Sequence, residues 1–202
     1  MLPSEYPELA KYPTIKYVFE KQLDMFFVDL RCMLKSPYPG CNAGYNLTIA
    51  SMLLNIIAGF SRRLYRPPNP MNDSQRFKSM LVAFFPWENP DLKPEDGAKL
   101  LYHSLRNPLT HELGIKGEEK VAVSKSGRSS DEEIDELENN EAKPSWLQPP
   151  LKMVNLYEQY FEWHVSVTSL FWATHRLLHN LLRDEKHMCE AEKRFNQILK
   201  RE

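Results

Sequence analysis

Prolines divide this sequence into segments whose apolar residues recur at helical spacing, and this pattern limits the fold more than any other feature. Four such segments precede the middle of the chain: residues 15–35, 47–64, 74–84 and 94–106. Pro37, Pro67 and Pro86 follow the first three, and proline cannot continue a regular helix. We therefore predict four helices here, with Asp73 or Ser74 as the N-cap of the third and Pro94 in the first turn of the fourth.

The second half of the sequence adds two further helical patterns. Apolar residues from 150 to 183 form the longest stripe, which begins after Pro149 and Pro150, and a short amphipathic pattern covers 188–199. With 202 residues, of which 42% are hydrophobic, the chain can build one substantial core. We predict one all-α domain over 1–202, an up-and-down bundle of five to six helices with a C-terminal helical tail at 186–202, which is either a docking or a partner-binding helix.

One long segment does not fit the helical pattern. Residues 115–148 have few bulky apolar side chains, and they include a Ser-rich stretch followed by an acidic run at 131–141. A structureless connection of this length is unusual in a small domain. We therefore interpret it as a mobile acidic loop inserted before the last long helix.

Charge and cysteine content restrict the partners and the compartment. The chain has 26 basic and 27 acidic residues, so an anionic partner must meet a local patch; Arg62, Arg63 and Arg66 form the densest one, a weak candidate for RNA binding. Three cysteines without a CxxC pair favour a reducing compartment. The sequence has neither a signal-peptide pattern at its start nor an apolar stretch long enough for a membrane span, so we expect a cytoplasmic protein without a membrane partner.

The most informative motif runs from Arg106 to His111. Because Pro108 disfavours the helical conformation in the residue before it, Asn107 is predicted to cap a new helix. His111 would then lie in the first turn, where the positive helix end and Arg106 lower the pKa of the imidazole and keep it available as a base. Arg106 can offer a fork of donors to a phosphate.

The spacing and flanks of these residues resemble the Arg-x4-6-His motif of the HEPN superfamily, the higher eukaryotes and prokaryotes nucleotide-binding domain. The resemblance covers residues 15–113 and 150–183. It implies a dimeric helical bundle, in many members a metal-independent endoribonuclease of toxin–antitoxin, antiviral or RNA-processing systems. By this resemblance Arg106 and His111 are catalytic and Asn107 orients the site. His103 precedes Arg106 by about one helical turn, a position from which it can line the same cleft, and it is a weak candidate for RNA binding. The resemblance also implies an RNA substrate, no cofactor and, as further partners, a second copy and an antitoxin or regulatory protein.

The corresponding reaction is a transesterification within RNA. His111 removes the proton of the 2′-hydroxyl group, Arg106 stabilises charge on the phosphate, and the products carry a 2′,3′-cyclic phosphate and a free 5′-hydroxyl. DNA lacks this internal nucleophile, so the hypothesis predicts selectivity for RNA.

Two alternatives remain open at this point. In the first, the bundle is a noncatalytic interaction or scaffold module in which Arg106 and His111 have structural roles. In the second, His175 and His179, four residues apart on one helix, share a metal ion. The sequence between them lacks the Glu of an HExxH motif, and Arg176 would repel a cation.

Overall fold

The helices of this protein form its core, so the predicted all-α class is confirmed. The computed structural model describes residues 6–35, 45–87, 92–111, 120–124, 151–157 and 160–200. Its α-helices are α1 (Pro13–Val18), α2 (Asp24–Lys35), α3 (Asn46–Arg63), α4 (Asp73–Phe84), α5 (Pro94–Leu100), α6 (Asn107–His111), α7 (Val167–Leu182) and α8 (Glu185–Leu199). Short π-helical turns join α1 to α2 at Phe19–Leu23 and α5 to α6 at Leu101–Arg106, and a 3-10 turn at Pro7–Lys11 precedes α1.

The two most buried helices, α3 and α7, contact each other in the centre of the bundle. On α3 the side chains of Ile49, Leu53 and Ile57 are fully buried, and on α7 Leu170 and Leu177 are fully buried as well. Their spacing of four residues on α3 and seven on α7 places each set on one helix face. Each such side chain contributes about 1.5–3 kcal/mol of hydrophobic free energy on burial.

Helix α8 docks on the first helix of its own chain. The carboxylate of Glu192 accepts hydrogen bonds from the backbone N–H groups of Thr14, at 2.8 Å, and Ile15, at 3.0 Å. These N–H groups belong to the first turn of α1 and have no partner within that helix. Met188 and Ala191 are fully buried beside them. Residues 186–199 are thus part of the packed domain.

The prediction that the last long helix begins near residue 150 is wrong. Residues Leu151–Tyr157 form strand β2 and Tyr160–Ser166 form strand β3, paired antiparallel, and α7 begins only at Val167. The physical reason lies in the sequence of β3, where apolar and polar residues alternate from Phe161 to Ser166 with the period of a strand. The side-chain hydroxyl of Ser166 accepts a hydrogen bond from Ser169 N and caps α7.

Five residues of the inserted segment 115–148 form a strand, so the prediction of a loop is wrong for this part of the segment. Residues Lys120–Ser124 form β1, which pairs in parallel with β3, so that the sheet order is β1-β3-β2. Its residues Lys120-Val121-Ala122-Val123-Ser124 suit a strand because two β-branched valines alternate along it. The acidic run at 131–141 lies outside the described residues.

The cap of α4 differs by one residue from the prediction of Asp73 or Ser74. Asn72 is the N-cap: its side chain accepts a hydrogen bond from Gln75 N at 2.9 Å, and the Gln75 side chain accepts one from Asn72 N at 3.1 Å. This reciprocal pair is a capping box, in which the amide of Gln replaces the usual acid. The cap fixes the start of the helix that carries Lys78.

Candidate functional site

The helix that carries the predicted motif is continuous, so the prediction that Asn107 caps a new helix is wrong. Asn107 has helical dihedral angles, φ −66° and ψ −51°, and its N–H donates to the carbonyl of Tyr102, five residues earlier. Pro108 has no N–H and would collide with a carbonyl of the preceding turn in a regular helix. The wider π-helical turn accommodates it. Because α6 continues the π-helical turn without a break, it has no free N-terminus of the kind that was predicted to lower the pKa of His111.

Two basic side chains, one from the π-helical turn and one from α4, lie over the same aromatic ring. The Arg106 guanidinium carbon lies 5.5 Å from the centre of the Tyr102 ring, and the Lys78 ammonium of α4 lies 5.8 Å from the same centre. Phe77 packs against Tyr102 with its ring centre 5.3 Å away. Cations at these distances are attracted by the electrons of the ring face. We call Lys78, Tyr102, His103 and Arg106 the Tyr102 cluster.

His103 is the exposed histidine of the Tyr102 cluster. Its Nε2 lies 3.5 Å from the Lys78 ammonium, and its ring meets the Tyr102 ring edge-on with the centres 5.1 Å apart. Partial burial lowers the pKa of His103 below its ordinary value, and the positive charge of Lys78 lowers it further. The imidazole is therefore neutral at pH 7, and one ring nitrogen can accept a proton.

The remaining motif residues follow directly on the same helix. Asn107 is half-buried at the start of α6, and His111 is its last residue. The side chain of His111 lies outside the described part of the structure. The structure therefore brings Arg106 and His103 together around Tyr102, and it places the backbone of His111 little more than one helical turn beyond Arg106.

Two of the three arginines predicted as an RNA-binding patch near the end of α3 form ion pairs with carboxylates. The Arg62 side chain lies 3.6 Å from the carboxylate of Asp73, and the Arg66 side chain lies 3.9 Å from that of Glu190. Both pairs are well exposed to solvent, so each contributes little to stability. Arg66 borders a cavity beside α8 that is described below.

The two histidines of the metal alternative have structural roles. His175 is buried and shares a hydrogen bond with the Tyr6 hydroxyl through Nδ1, while His179 Nδ1 lies 3.8 Å from a carboxylate oxygen of Glu8. Burial lowers the pKa of His175 to about 3, with Arg31 and His179 adding to the effect. Within the described ranges, no group of three or more potential metal-ligating side chains lies together.

The sequence reasoning missed Lys78 and Tyr102. Neither residue belongs to the Arg106–His111 motif, and Lys78 is on a different helix, 25 positions before His103. The available signal was the adjacency of Tyr102 and His103 to the motif. The contribution of Lys78 follows only from the packing of α4 against the turn after α5, which the sequence does not specify.

Comparisons with known proteins leave the site to be interpreted from its own geometry. No protein-family model, no curated protein and no solved structure matches this chain. Among the described residues, no helix combines the length and the apolar character that crossing a bilayer requires.

Proposed function

We propose that this protein is a metal-independent endoribonuclease of the HEPN type and that the Tyr102 cluster is its RNA-binding surface. The observation that carries this proposal is the arrangement of two cations and one neutral imidazole around a single aromatic ring. Basic side chains that flank an aromatic ring are typical of surfaces that bind single-stranded nucleic acid, where the cations contact phosphates.

The roles of the residues follow from their chemistry. Arg106 presents a guanidinium fork to the scissile phosphate and stabilises the charge that develops on its oxygens, and Lys78 adds a second positive charge. His103, which is neutral at pH 7, donates a hydrogen bond to the RNA from its protonated ring nitrogen. Asn107 orients the site, and His111 acts as the base.

The proposed step transfers the phosphate within the RNA strand. His111 takes the proton from a 2′-hydroxyl group, whose oxygen then bonds to the adjacent phosphorus as the bond to the 5′-oxygen breaks. The departing 5′-oxygen takes up a proton, so the products are a 2′,3′-cyclic phosphate and a 5′-hydroxyl. The step requires neither a metal ion nor a cofactor, and DNA cannot undergo it.

The resemblance to the HEPN superfamily also supports a biological setting. We place the activity in the cytoplasm, within a toxin–antitoxin or defence system, with an antitoxin or regulatory protein as its partner. The free form is proposed to be a homodimer in which the motifs of two chains form one cleft, so that the second His111 can protonate the leaving oxygen.

The test is cleavage of mixed single-stranded and structured RNA in excess EDTA, followed by identification of the product termini. We expect the wild type to produce cyclic-phosphate ends and Arg106→Ala and His111→Ala to reduce the rate about 100-fold or more. His103→Ala is expected to raise the KM for RNA more than it lowers kcat. Circular dichroism shows whether each variant keeps its helicity.

Arg183→Ala is the matched control, because Arg183 is an exposed arginine directly after α7 that pairs with Glu8. It should cleave RNA at the wild-type rate. Retention of full activity in Arg106→Ala, or cleavage of the 2′-deoxy substrate, would overturn the proposed mechanism. Absence of cleavage by a well-folded dimer would instead favour the second candidate function.

That second candidate is a noncatalytic interaction module, and one observation favours it. Four large apolar side chains of α1 and α2 are exposed, among them Met25, 63% exposed, and Phe26, 47% exposed; the others are Tyr17 and Val28. Met25 and Val28 are three residues apart and lie on one face of α2, and large apolar side chains that are exposed together often mark protein interfaces. We take a second copy of this chain as the partner, which the nuclease proposal also requires.

Sedimentation at micromolar concentration tests this surface. The wild type should sediment as a dimer and Met25→Glu as a monomer, because a buried carboxylate in an apolar interface is strongly unfavourable. Val82→Glu is the control, since Val82 is an exposed apolar residue on α4. A monomeric wild type, or a dimer in both variants, would contradict this assignment of the interface.

A further inference from the structure

A second basic site lies away from the Tyr102 cluster, in a cavity of about 590 Å³ between α4, α8 and the connection at residues 66–71. Three lining side chains are cationic, Arg66, Arg76 and Lys186, and only Glu190 is anionic. The connecting segment contains Pro67, Pro68 and Pro70, whose rings fix the backbone. The cavity is therefore concave, positively charged and bounded on one side by stiff backbone.

The guanidinium group of Arg76 is held in position at the edge of this cavity. Its Nη2 donates a hydrogen bond to the carbonyl of Met71 at 3.0 Å, and its Nη1 lies 3.7 Å from a carboxylate oxygen of Asp73. Its Nε is buried and has no acceptor among the described residues. Asp73 is shared with Arg62, so the positive charge of Arg76 is only partly balanced.

Arg194 adds a fourth positive charge beside the cavity. It follows Lys186 and Glu190 at intervals of four residues, so the three side chains lie along one face of α8. Burial lowers the pKa of Arg194, and repulsion from Arg66, Arg76 and Arg63 lowers it further, against an opposing attraction to Glu190. Its Nη2 is buried without an acceptor in the described part of the chain. The cluster thus has more positive charge than the nearby carboxylates balance.

We propose that this cavity binds a small ligand with two or more linked phosphate groups, such as a nucleoside diphosphate. Guanidinium and ammonium groups bind phosphates in proteins. Several of these groups beside a single carboxylate favour an anion that carries more than one negative charge. The volume is in the range of small-molecule sites. A continuous RNA strand fits an open surface such as the Tyr102 cluster better than it fits this cavity.

The helical geometry separates the two sites. Arg76 and Lys78 are two positions apart on α4, which corresponds to a rotation of about 200° around the helix axis. Their side chains therefore leave opposite sides of the helix, one toward the cavity and the other toward Tyr102. The cavity and the Tyr102 cluster are therefore on opposite sides of α4.

Isothermal titration of the full chain with inorganic pyrophosphate and with ADP tests the proposal. We expect one site per chain, and binding of both probes about tenfold weaker in Lys186→Gln and in Arg66→Gln. Lys193→Gln is the matched control, because it makes the same charge change on α8 at an exposed residue that does not line the cavity. It should bind both probes within about twofold of the wild type.

Three outcomes would overturn this proposal. The first is that neither probe binds at millimolar concentration. The second is that Lys186→Gln and Lys193→Gln weaken probe binding equally. The third is that a short single-stranded RNA binds more tightly than either probe and that Lys186→Gln weakens RNA binding by the same factor as probe binding. Lys186 is exposed, so its substitution is expected to leave the fold intact, which an unchanged melting temperature would verify. RNA cleavage by Lys186→Gln is expected at the wild-type rate.

Discussion

His103 and His175 both have a pKa below the ordinary value for histidine, but their surroundings suit them to different tasks. His175 is packed between aromatic rings, with the centre of the Phe27 ring 4.1 Å away and that of Phe171 4.7 Å away, and it shares a hydrogen bond with Tyr6. His103 is exposed beside Lys78. A ligand can therefore reach His103 but not His175.

The comparison shows that a neutral histidine does not by itself indicate catalysis. Burial is the main cause that disfavours the imidazolium of His175, and Arg31 and His179 add to it. This histidine links the N-terminal segment to α7 as a packed, hydrogen-bonded side chain. At His103, partial burial combines with a neighbouring cation, and the ring stays in contact with solvent. We therefore assign a structural role to His175 and propose the RNA-binding role for His103.

The largest expected effect is acid destabilisation through His175. Its pKa is about 3 in the folded chain and about 6.5 when unfolded, so the unfolded state binds the additional proton and stability falls as the pH drops through 6.5 toward 3. Between pH 7 and pH 5 this histidine should remove about 2 kcal/mol from the free energy of unfolding. Urea titrations at the two pH values measure it.

His175→Gln is the variant that isolates this effect. It removes the titrating group, so the free energy of unfolding should change little between pH 7 and pH 5. The variant is less stable at pH 7 because it loses aromatic packing. Above pH 5 the carboxylates contribute little, since their pKa values lie lower. An equal pH dependence in the wild type and in His175→Gln would show that His175 is not a buried neutral group.

An effect of similar size is expected from Gly97→Ala on α5, the helix that leads into the turn carrying His103. A Cβ at position 97 of α5 would overlap the ring of Trp87, which cannot move freely because its Nε1 donates to the carbonyl of Leu81 at 2.8 Å. We expect a loss of about 1–3 kcal/mol in the free energy of unfolding.

The matched control for that variant is Gly59→Ala on α3. A Cβ at position 59 has no atom within 4 Å, so alanine should raise the stability by about 0.5–1 kcal/mol through its better helix propensity. Chemical denaturation measures the change in the free energy of unfolding for both variants. A neutral or stabilising Gly97→Ala would contradict the close packing of α5 on Trp87.

The smallest effect is a change in the titration of His103. Replacing Lys78 with Gln removes a positive charge 3.5 Å from Nε2, so the pKa of His103 should rise while the part caused by burial remains. Histidine ring signals followed by NMR against pH measure this change. The pKa of His175 should stay the same, and Lys99→Gln, on α5, should leave both values unchanged.

The sequence sufficed for those helices whose apolar stripe has a single interpretation. Residues 15–35 and 47–64 show helical spacing bounded by prolines, and the observed helices follow them closely. Residues 151–166 were assigned wrongly because Val154, Tyr157, Phe161 and Val165 also fit helical spacing. The strand alternation covers only six residues, and the partner strand β1 lies in a segment poor in apolar residues.

The candidate site could be predicted only in part. Arg106, Asn107 and His111 were found from local spacing, but the rule for the residue before proline gave the wrong geometry, because a π-helical turn lets the helix continue through Pro108. Lys78 and Tyr102 meet through the packing of two helices, as do Arg76 and Lys186 at the cavity. Contacts of this kind depend on helix orientation, which a single sequence does not specify.

The most direct test of the central claim is an NMR titration of the histidine ring signals with a short RNA whose 2′-hydroxyl groups are replaced by fluorine. Such an RNA has no internal nucleophile and can bind without being cleaved. The account predicts that the His103 signals shift with saturable binding, that Arg106→Ala weakens this binding, and that the His175 signals do not move. Unchanged His103 signals in the presence of bound RNA would contradict the assignment of the Tyr102 cluster as the RNA-binding surface.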